Sequence, residues 1–243
     1  MIALSRIKSK VVEKLTPFGP FQYLQGKRWV GRWDRNYSLA EKELAPLAKA
    51  LGKDSVVFDI GANRGELSYF FAKVCGAGKV FAFEPQSRMF GVLRGVASKV
   101  SDIIPQNIAF SDAAGDKELA IPVSTIGRYT QMASFEPSES ASETESVHVD
   151  TVDAFVATRG IARLDLIKCD TEGHELSVFK GAEKTLASLR PILFIEVKGP
   201  NAAFLLSLLK ERGYAEQPYD GSSENRFFFP VERQRDIIEK IRS

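Results

Sequence analysis

The sequence predicts an α/β fold on three observations. From residue 55 onward, short apolar runs alternate with stretches of helical periodicity. The first of these runs ends in an acid and a glycine-bearing turn, the place where open α/β sheets bind ligands. The composition, 44% hydrophobic and 26% charged over 243 residues, belongs to a chain that closes a sizeable core, and it excludes a disordered or collagen-like polymer.

The chain divides into residues 1–54, a helical, aromatic and basic N-terminal cap, and residues 55–243, the α/β domain. Residues 1–37 carry eight basic side chains against Glu13 and Asp34, a net +6 in a chain of +2. Leu4, Ile7, Val11 and Leu15 recur there at helical spacing, and Phe18, Phe21, Tyr23, Trp29, Trp33 and Tyr37 interleave with the cations. Such a segment can cap the core, lie on an anionic membrane surface or grip an acidic or carbohydrate partner, and the cap is the preferred reading. Ser38–Glu41 has capping-box spacing and predicts the helix that leads into the first strand, with a kink or late restart at Pro46.

Buried parallel strands are expected at Val56–Ile60, Val80–Glu84, Ile103–Phe110, Leu164–Cys169 and Ile192–Val197. Leu67, Phe70, Phe71 and Val74 predict a helix that stops at Gly76 to Gly78. Leu176, Phe179, Leu186 and Leu189 predict another helix before Pro191, and Phe204 to Leu209 a third. Residues 134–146, SFEPSESASETES, hold five Ser and four Glu with no Lys or Arg, which predicts a mobile loop between two strands. Tyr214–Tyr219 and Arg226–Phe229, linked by a turn-rich stretch, read as an antiparallel pair, and Pro230 opens a terminal helix. Cys75 and Cys169 sit among apolar neighbours and form no CxxC pair, so they read as buried thiols. No apolar run reaches bilayer length, and Arg6, Lys8 and Lys10 stand where a secretory leader needs apolar residues. A cytoplasmic protein is expected, peripheral at the membrane if the N-terminal segment lies on it.

The chemistry starts at Phe58-Asp59-Ile60-Gly61-Ala62-Asn63-Arg64-Gly65. A strand ends in an acid, the glycines let the backbone turn tightly and approach a ligand, and the next helix presents free N–H groups. The second strand ends in Phe83-Glu84-Pro85, where a carboxylate can accept from both hydroxyls of a ribose. The glycine spacing is not GxGxxG, which makes a pyrophosphate-binding dinucleotide fold the weaker reading.

Four motifs in order, DIGANRG, FAFEP, NIAFSDAAG and LIKCDTEGHELSVFKGAEKTLASLRPILFIEV, resemble the FkbM family of S-adenosylmethionine-dependent O-methyltransferases across roughly residues 55–198. The resemblance implies a class I methyltransferase (Rossmann-like) fold: a seven-stranded, mostly parallel sheet with helices on both faces and a C-terminal antiparallel hairpin. It implies activity on hydroxyls, often of sugars in glycans or glycosylated metabolites. Carried over position by position, Gly61, Asn63 and Gly65 would hold the amino acid end of S-adenosylmethionine, Asp59 would orient that loop, and Glu84 would bind the ribose. Asp112, with Ser111 beside it, would reach the adenine amino group, although a plain turn at DAAGD explains Asp112 equally well.

A sulfonium methyl is already activated, so the protein must align a hydroxyl behind it and remove the hydroxyl proton. Asp170 and Glu172 follow the fourth strand and Glu196 ends the fifth, so adjacent parallel strands bring these carboxylates together. They could bind Mg²⁺, or one of them, or His174, could act directly as base. Asp170 ranks first, then Glu172, then His174 and Glu196; Glu175 reads as a helix-starting residue and His148 as structural. Trp29, Arg32 and Trp33 are the candidate contacts to a sugar acceptor. A nucleic acid partner is not expected, since the Pro-rich aromatic motif of base amino-methylation is replaced by Cys169-Asp170-Thr171-Glu172. A non-catalytic cofactor-binding module and a methyltransferase for a non-sugar small molecule stay as alternatives. The sequence leaves the oligomeric state open.

Overall fold

The computed structural model describes residues 20–36, 44, 47–124, 127–128, 133–135, 142–217 and 224–242. The Leu4–Leu15 stripe, the Ser38–Glu41 capping box, Pro46, the turn at 220–223 and residues 136–141 of the acidic segment lie outside them.

Seven strands form the main sheet, in the order β10-β11-β9-β8-β1-β2-β3. They are β1 (Val56–Ile60), β2 (Lys79–Phe83), β3 (Ile103–Gln106), β8 (Leu166–Cys169), β9 (Ile192–Glu196), β10 (Tyr214–Gln217) and β11 (Asn225–Pro230). All neighbouring pairs are parallel except those made by β11, which runs antiparallel to both β9 and β10. The chain steps outward from β1 through β2 to β3 and then returns to place β8 on the other side of β1, so the strand order reverses there. That reversal opens a crevice at the carboxyl ends of β1 and β8.

Register fixes what stands at this edge. Ile60 pairs with Phe83 and with Cys169, and Cys169 pairs with Ile195. The next residues along, Gly61, Glu84, Asp170 and Glu196, therefore form one row across four strands.

Alternation along the strands supplies both faces of the sheet. Val57, Val80, Ala82, Leu166 and Phe194 point into one core. That core includes Phe70 and Phe71 of the segment after β1, Leu93 and Val96 of α4 (Ser87–Ala97), and Ile237 of α9 (Gln234–Arg242). Phe58, Ile60, Phe83, Ile167 and Ile195 point into the other core. There they meet α5 (Val152–Thr158), α6 (Glu175–Lys180), α7 (Glu183–Ser188) and α8 (Ala202–Glu211).

Helix α1 (Pro20–Asn36) and the short α2 (Leu47–Ala50) join the first core through Val30, Trp33, Leu47, and the nearby Leu44 and Leu51. Helix α1 lies so close to α4 that a Cβ added at Gly26 would stand 2.0 Å from the Val92 carbonyl oxygen, and one at Gly95 2.1 Å from that of Tyr23. Only glycines let the two backbones meet like this. Among the described residues, no helix is long and apolar enough to cross a membrane.

Three expectations need correction. The run Ile103–Phe110 is two strands: β3 stops at Gln106 and β4 (Ala109–Phe110) joins a second sheet ordered β4-β7-β5-β6. Between them the Asn107 side-chain amide donates to the carbonyls of Glu84 (2.9 Å) and Pro85 (2.8 Å), which turns the chain. Pro105, which cannot donate to a ladder, sits in β3 because β3 is an edge strand.

The acidic segment is not simply a loop. Strand β7 (Ser142–Asp150) takes in its end and pairs antiparallel with β5 (Gly115–Ser124), the two strands expected to flank it, while Ser134 forms a β-bridge with Ala120. The small β6 (Gly127–Arg128) completes this sheet.

The helix expected across Leu176–Leu189 breaks into α6 and α7 at Gly181. A Cβ there would lie 2.1 Å from the Ser111 carbonyl oxygen, and α7 takes its cap from Asp153, which accepts from Lys184 N–H (2.9 Å) and Thr185 N–H (2.8 Å).

Candidate active site

The loop after β1 is shaped by left-handed backbone at Gly61 (φ 72°), Asn63 (φ 51°) and Gly65 (φ 85°). Gly61 is pressed against β8: a Cβ there would stand 1.8 Å from the Asp170 carbonyl oxygen. The N–H groups of Gly61 and Ala62 donate to the Phe83 carbonyl, at 3.1 and 2.9 Å, tying the loop to the end of β2. Helix α3 (Glu66–Tyr69) begins at Gly65 and runs into a π-helical turn at Phe70–Val74. A cleft of about 360 Å³ opens above this loop. Its wall includes Gly61, Asn63, Glu84, Lys168, Asp170 and His174, with Ile108, Ala109 and Phe110 forming an apolar side.

Glu84 is 7% exposed and sits at the end of the row. One carboxylate oxygen accepts from Asn63 N–H (2.8 Å) and the other from Gln86 N–H (2.9 Å), so it links the glycine loop to the start of α4. Burial pushes its carboxyl up to about 7 against the pull of those two donors.

Beneath the loop, Asp59 is fully buried and pairs across the β1–β8 register with Lys168. Its Oδ2 accepts from the Ser68 hydroxyl at 2.5 Å, and Oδ1 lies 3.4 Å from the Lys168 ammonium. Lys168 Nζ also donates to the carbonyls of Gly61 (2.8 Å) and Ile60 (3.2 Å) and stands 3.8 Å from Asp170 Oδ2. Burial opposes its charge, but the Asp59 and Asp170 carboxylates outweigh burial and hold the ammonium above lysine's ordinary range. Lys168 is thus a buried cation under the loop that sequence reasoning missed. Its signal was a lone cation inside the apolar run Leu166-Ile167-Lys168-Cys169.

Asp170, Glu172 and Glu196 do converge: each offers an oxygen within 4.8 Å of the others. Asp170 belongs to the cleft wall with its side chain 39% exposed. Glu172 also lines the cleft, but its left-handed backbone (φ 57°) is fixed by a Ser134 hydroxyl donating to its carbonyl (2.8 Å), and its carboxylate accepts from Lys198 Nζ at 2.7 Å. Glu196 stands behind, paired with the same ammonium at 2.8 Å. Burial, and then the charge of Asp170, push its carboxyl up to about 7, with Lys198 pulling the other way. Lys198 is the second cation that the sequence reading passed over. Glu175 folds back over the turn it follows, accepting from Thr171 N–H (2.7 Å), the Thr171 hydroxyl (2.9 Å) and Gly173 N–H (3.3 Å).

His174 is buried, with Nε2 3.0 Å from the Ser111 hydroxyl. That hydroxyl also receives Lys117 Nζ at 2.7 Å and donates to Asp112 Oδ1 at 3.0 Å. A hydroxyl has one proton and two lone pairs, so this network assigns the proton at Nε2 to His174 and makes that nitrogen a donor here. Ser111 and Asp112 are not part of the cleft wall, and Asp112 is exposed, its carboxyl held below the usual range first by the Ser111 hydroxyl.

The N-terminal helix reaches the rim. Arg64 of the glycine loop stacks on Trp29 at 4.7 Å, Arg32 lies over the same ring at 5.3 Å, and Arg64 is also paired with Glu66 at 2.5 Å. Trp29 stacks on Trp33 (5.9 Å). Trp33, however, is 5% exposed and packs on Tyr69 (5.2 Å), whose hydroxyl donates to Asp34 at 2.6 Å. The structure therefore puts Trp33 in the core, leaves Trp29 partly buried against that core, and leaves Arg32 exposed.

The observed residues fit the implied cofactor: Gly61 and Asn63 bring left-handed backbone to the cleft wall, Glu84 adds a carboxylate that hydroxyls can donate to, and Ile108–Phe110 add an apolar side. Fold and site together define a class I S-adenosylmethionine-dependent methyltransferase: a Rossmann-like, seven-stranded mixed sheet with its antiparallel strand near the C-terminus. Residues 59–215 match the Methyltransferase FkbM domain, and the chain belongs to the FkbM methyltransferase family.

Two similar proteins illustrate the range. Hexuronic acid methyltransferase AglP of Haloferax volcanii is 29% identical over 170 residues, which cover 65% of this chain and 63% of that protein. The crystal structure of methyltransferase FkbM from Methylobacillus flagellatus KT superposes with a TM-score of 0.54 at 17% identity, over 75% of this chain and 47% of that one. The chain thus spans less than two thirds of the length of either protein.

Proposed function

We propose that this methyltransferase acts on a hydroxyl oxygen, that of a sugar in a glycan or a glycosylated metabolite. The observation that carries the reading is Asp170, a carboxylate of the cleft wall immediately beside Gly61, half-open to solvent and with Lys168 no nearer than 3.8 Å. Bound at the glycine loop, S-adenosylmethionine supplies an activated methyl on a sulfonium. Asp170 would accept the hydroxyl proton as the methyl forms its bond to oxygen and its bond to sulfur breaks, leaving the thioether product, and Lys168 holds the Asp170 end of β8 to the loop. The name of AglP, a hexuronic acid methyltransferase, supports a sugar acceptor. Trp29, which meets the cleft-lining Arg64, is the residue we assign to the acceptor's C–H faces, with Arg32 beside it. On the same helix Arg28, Arg32 and Arg35 are all exposed with Phe21 and Leu24, which favours an anionic surface, such as a membrane, as a contact of this segment.

The test is transfer of labelled methyl from S-adenosylmethionine to oligosaccharides ending in neutral or uronic sugars. Asp170→Asn is expected to lower transfer by about 10²–10⁴-fold, the range for a lost general base, while cofactor binding survives. Full transfer by Asp170→Asn would remove the assigned base. Cofactor binding with no transfer to any hydroxyl compound would favour a non-catalytic module, and transfer confined to non-sugar hydroxyls would move the acceptor to another small molecule.

A further inference from the structure

Three carboxylates within 4.8 Å of one another, from Asp170, Glu172 and Glu196, are a donor set that a hard divalent cation could use. The space between two of them is already filled. Lys198 Nζ stands 2.7 Å from Glu172 Oε2 and 2.8 Å from Glu196 Oε2, on the chain just past β9. An ion bound to those same two oxygens needs distances of about 2.0–2.6 Å, which would put it on top of the ammonium. The third member, Asp170, has its own cation in Lys168 at 3.8 Å.

We infer that Lys198 is the resident cation of this cluster, a positioning residue that replaces a metal ion. The expectation of Mg²⁺ does not fit the donor set, and no step passes through a metal. The ammonium pairs with two of the three carboxylates, offsets one of their charges, and clamps the carboxylate of Glu172, on a left-handed loop residue, to the end of β9. That leaves Asp170 as the cleft-lining member of the trio that Lys198 does not hold. Removing the ammonium should turn the cluster into a divalent cation site, since Glu172 and Glu196 then lose their shared cation and three carboxylates converge with only Lys168 beside Asp170. The inference goes beyond the proposed function and does not depend on the acceptor.

The test uses the full chain and Mn²⁺ alone, with free Mn²⁺ followed by electron paramagnetic resonance. The wild-type chain is expected to take up no Mn²⁺ at this cluster, while Lys198→Ala binds at least tenfold more tightly than wild type. Lys198→Arg, which keeps a cation, gains nothing, and Lys198→Ala with Glu172→Gln loses the gain, which places the ion in the cluster. If Lys198→Ala does not fold, judged by its melting transition, the neutral Lys198→Gln makes the same comparison. Wild-type uptake that Glu172→Gln abolishes overturns the inference without recourse to any Lys198 variant. A folded Lys198→Ala or Lys198→Gln that gains no Mn²⁺ overturns it as well.

Discussion

Glu84 joins two backbone donors at the wall of the cleft, and its raised carboxyl gives the assignment to the ribose hydroxyls a testable pH dependence. Its folded value of about 7 lies above the ordinary 4.5, so the native protein holds this proton more tightly than the unfolded chain does. Stability from this group is therefore greatest at low pH and falls as pH rises between those two values. Ribose hydroxyls donate to the ionised form, so affinity for S-adenosylmethionine should rise as pH increases through about 7, with proton release. Calorimetry in two buffers of different ionisation enthalpy measures that release, and Glu84→Gln should abolish it while weakening binding by about 1.5–3 kcal/mol. Affinity independent of pH between 5.5 and 8, roughly the window spanned by such a shift, would sink the assignment. Glu84 and Asp170 were legible in the sequence because an acid closing an apolar strand has few structural uses. Lys168 and Lys198 were passed over, because the role of each appears only with its ion pair: Lys168 with its register partner Asp59, and Lys198 with Glu172 and Glu196.

At the scale of elements, the contact between α1 and α4 decides whether the N-terminal helix belongs to the core. Gly26 and Gly95 let the two backbones touch, and Val30 and Trp33 fill the space beyond. Gly95→Ala should force the helices apart and cost about 1–3 kcal/mol, and Trp33→Ala about 3–5 kcal/mol, both read from denaturant unfolding. Trp29→Ala should cost less stability and more acceptor affinity, because its ring is only partly buried and lies at the rim. Equal stability losses for Trp29→Ala and Trp33→Ala, with transfer unaffected, would make both rings packing residues. The strands of the main sheet were readable because burial on both faces leaves unbroken apolar runs such as Val56–Ile60. Of the second sheet only the presence of strands flanking the acidic segment was readable, not their bounds or pairing, since β7 exposes Glu143 and Ser146 and hides only Val147 and Val149, and its partner β5 is polar over half its length. The breaks at Asn107 and Gly181 were hidden for another reason: each answers a contact distant in sequence.

At the scale of the molecule, the second sheet is fastened on both banks of the cleft. On one side Glu145 of β7 accepts from Ser87 N–H at 2.9 Å, and from the Ser87 hydroxyl, where α4 begins just past Glu84. On the other side Ser134, bridged to β5, donates to the carbonyl of Glu172. A ligand lying between these ties would be under a strap whose two buckles sit on the segments that touch it. Release of the spent cofactor then requires at least one buckle to open, and the amide hydrogens of β5 and β7 report that opening. Their exchange with deuterium should slow when S-adenosylhomocysteine binds, although neither strand carries the glycine loop or the ribose acid, and Ser134→Ala with Glu145→Gln should speed both exchange and departure of the product.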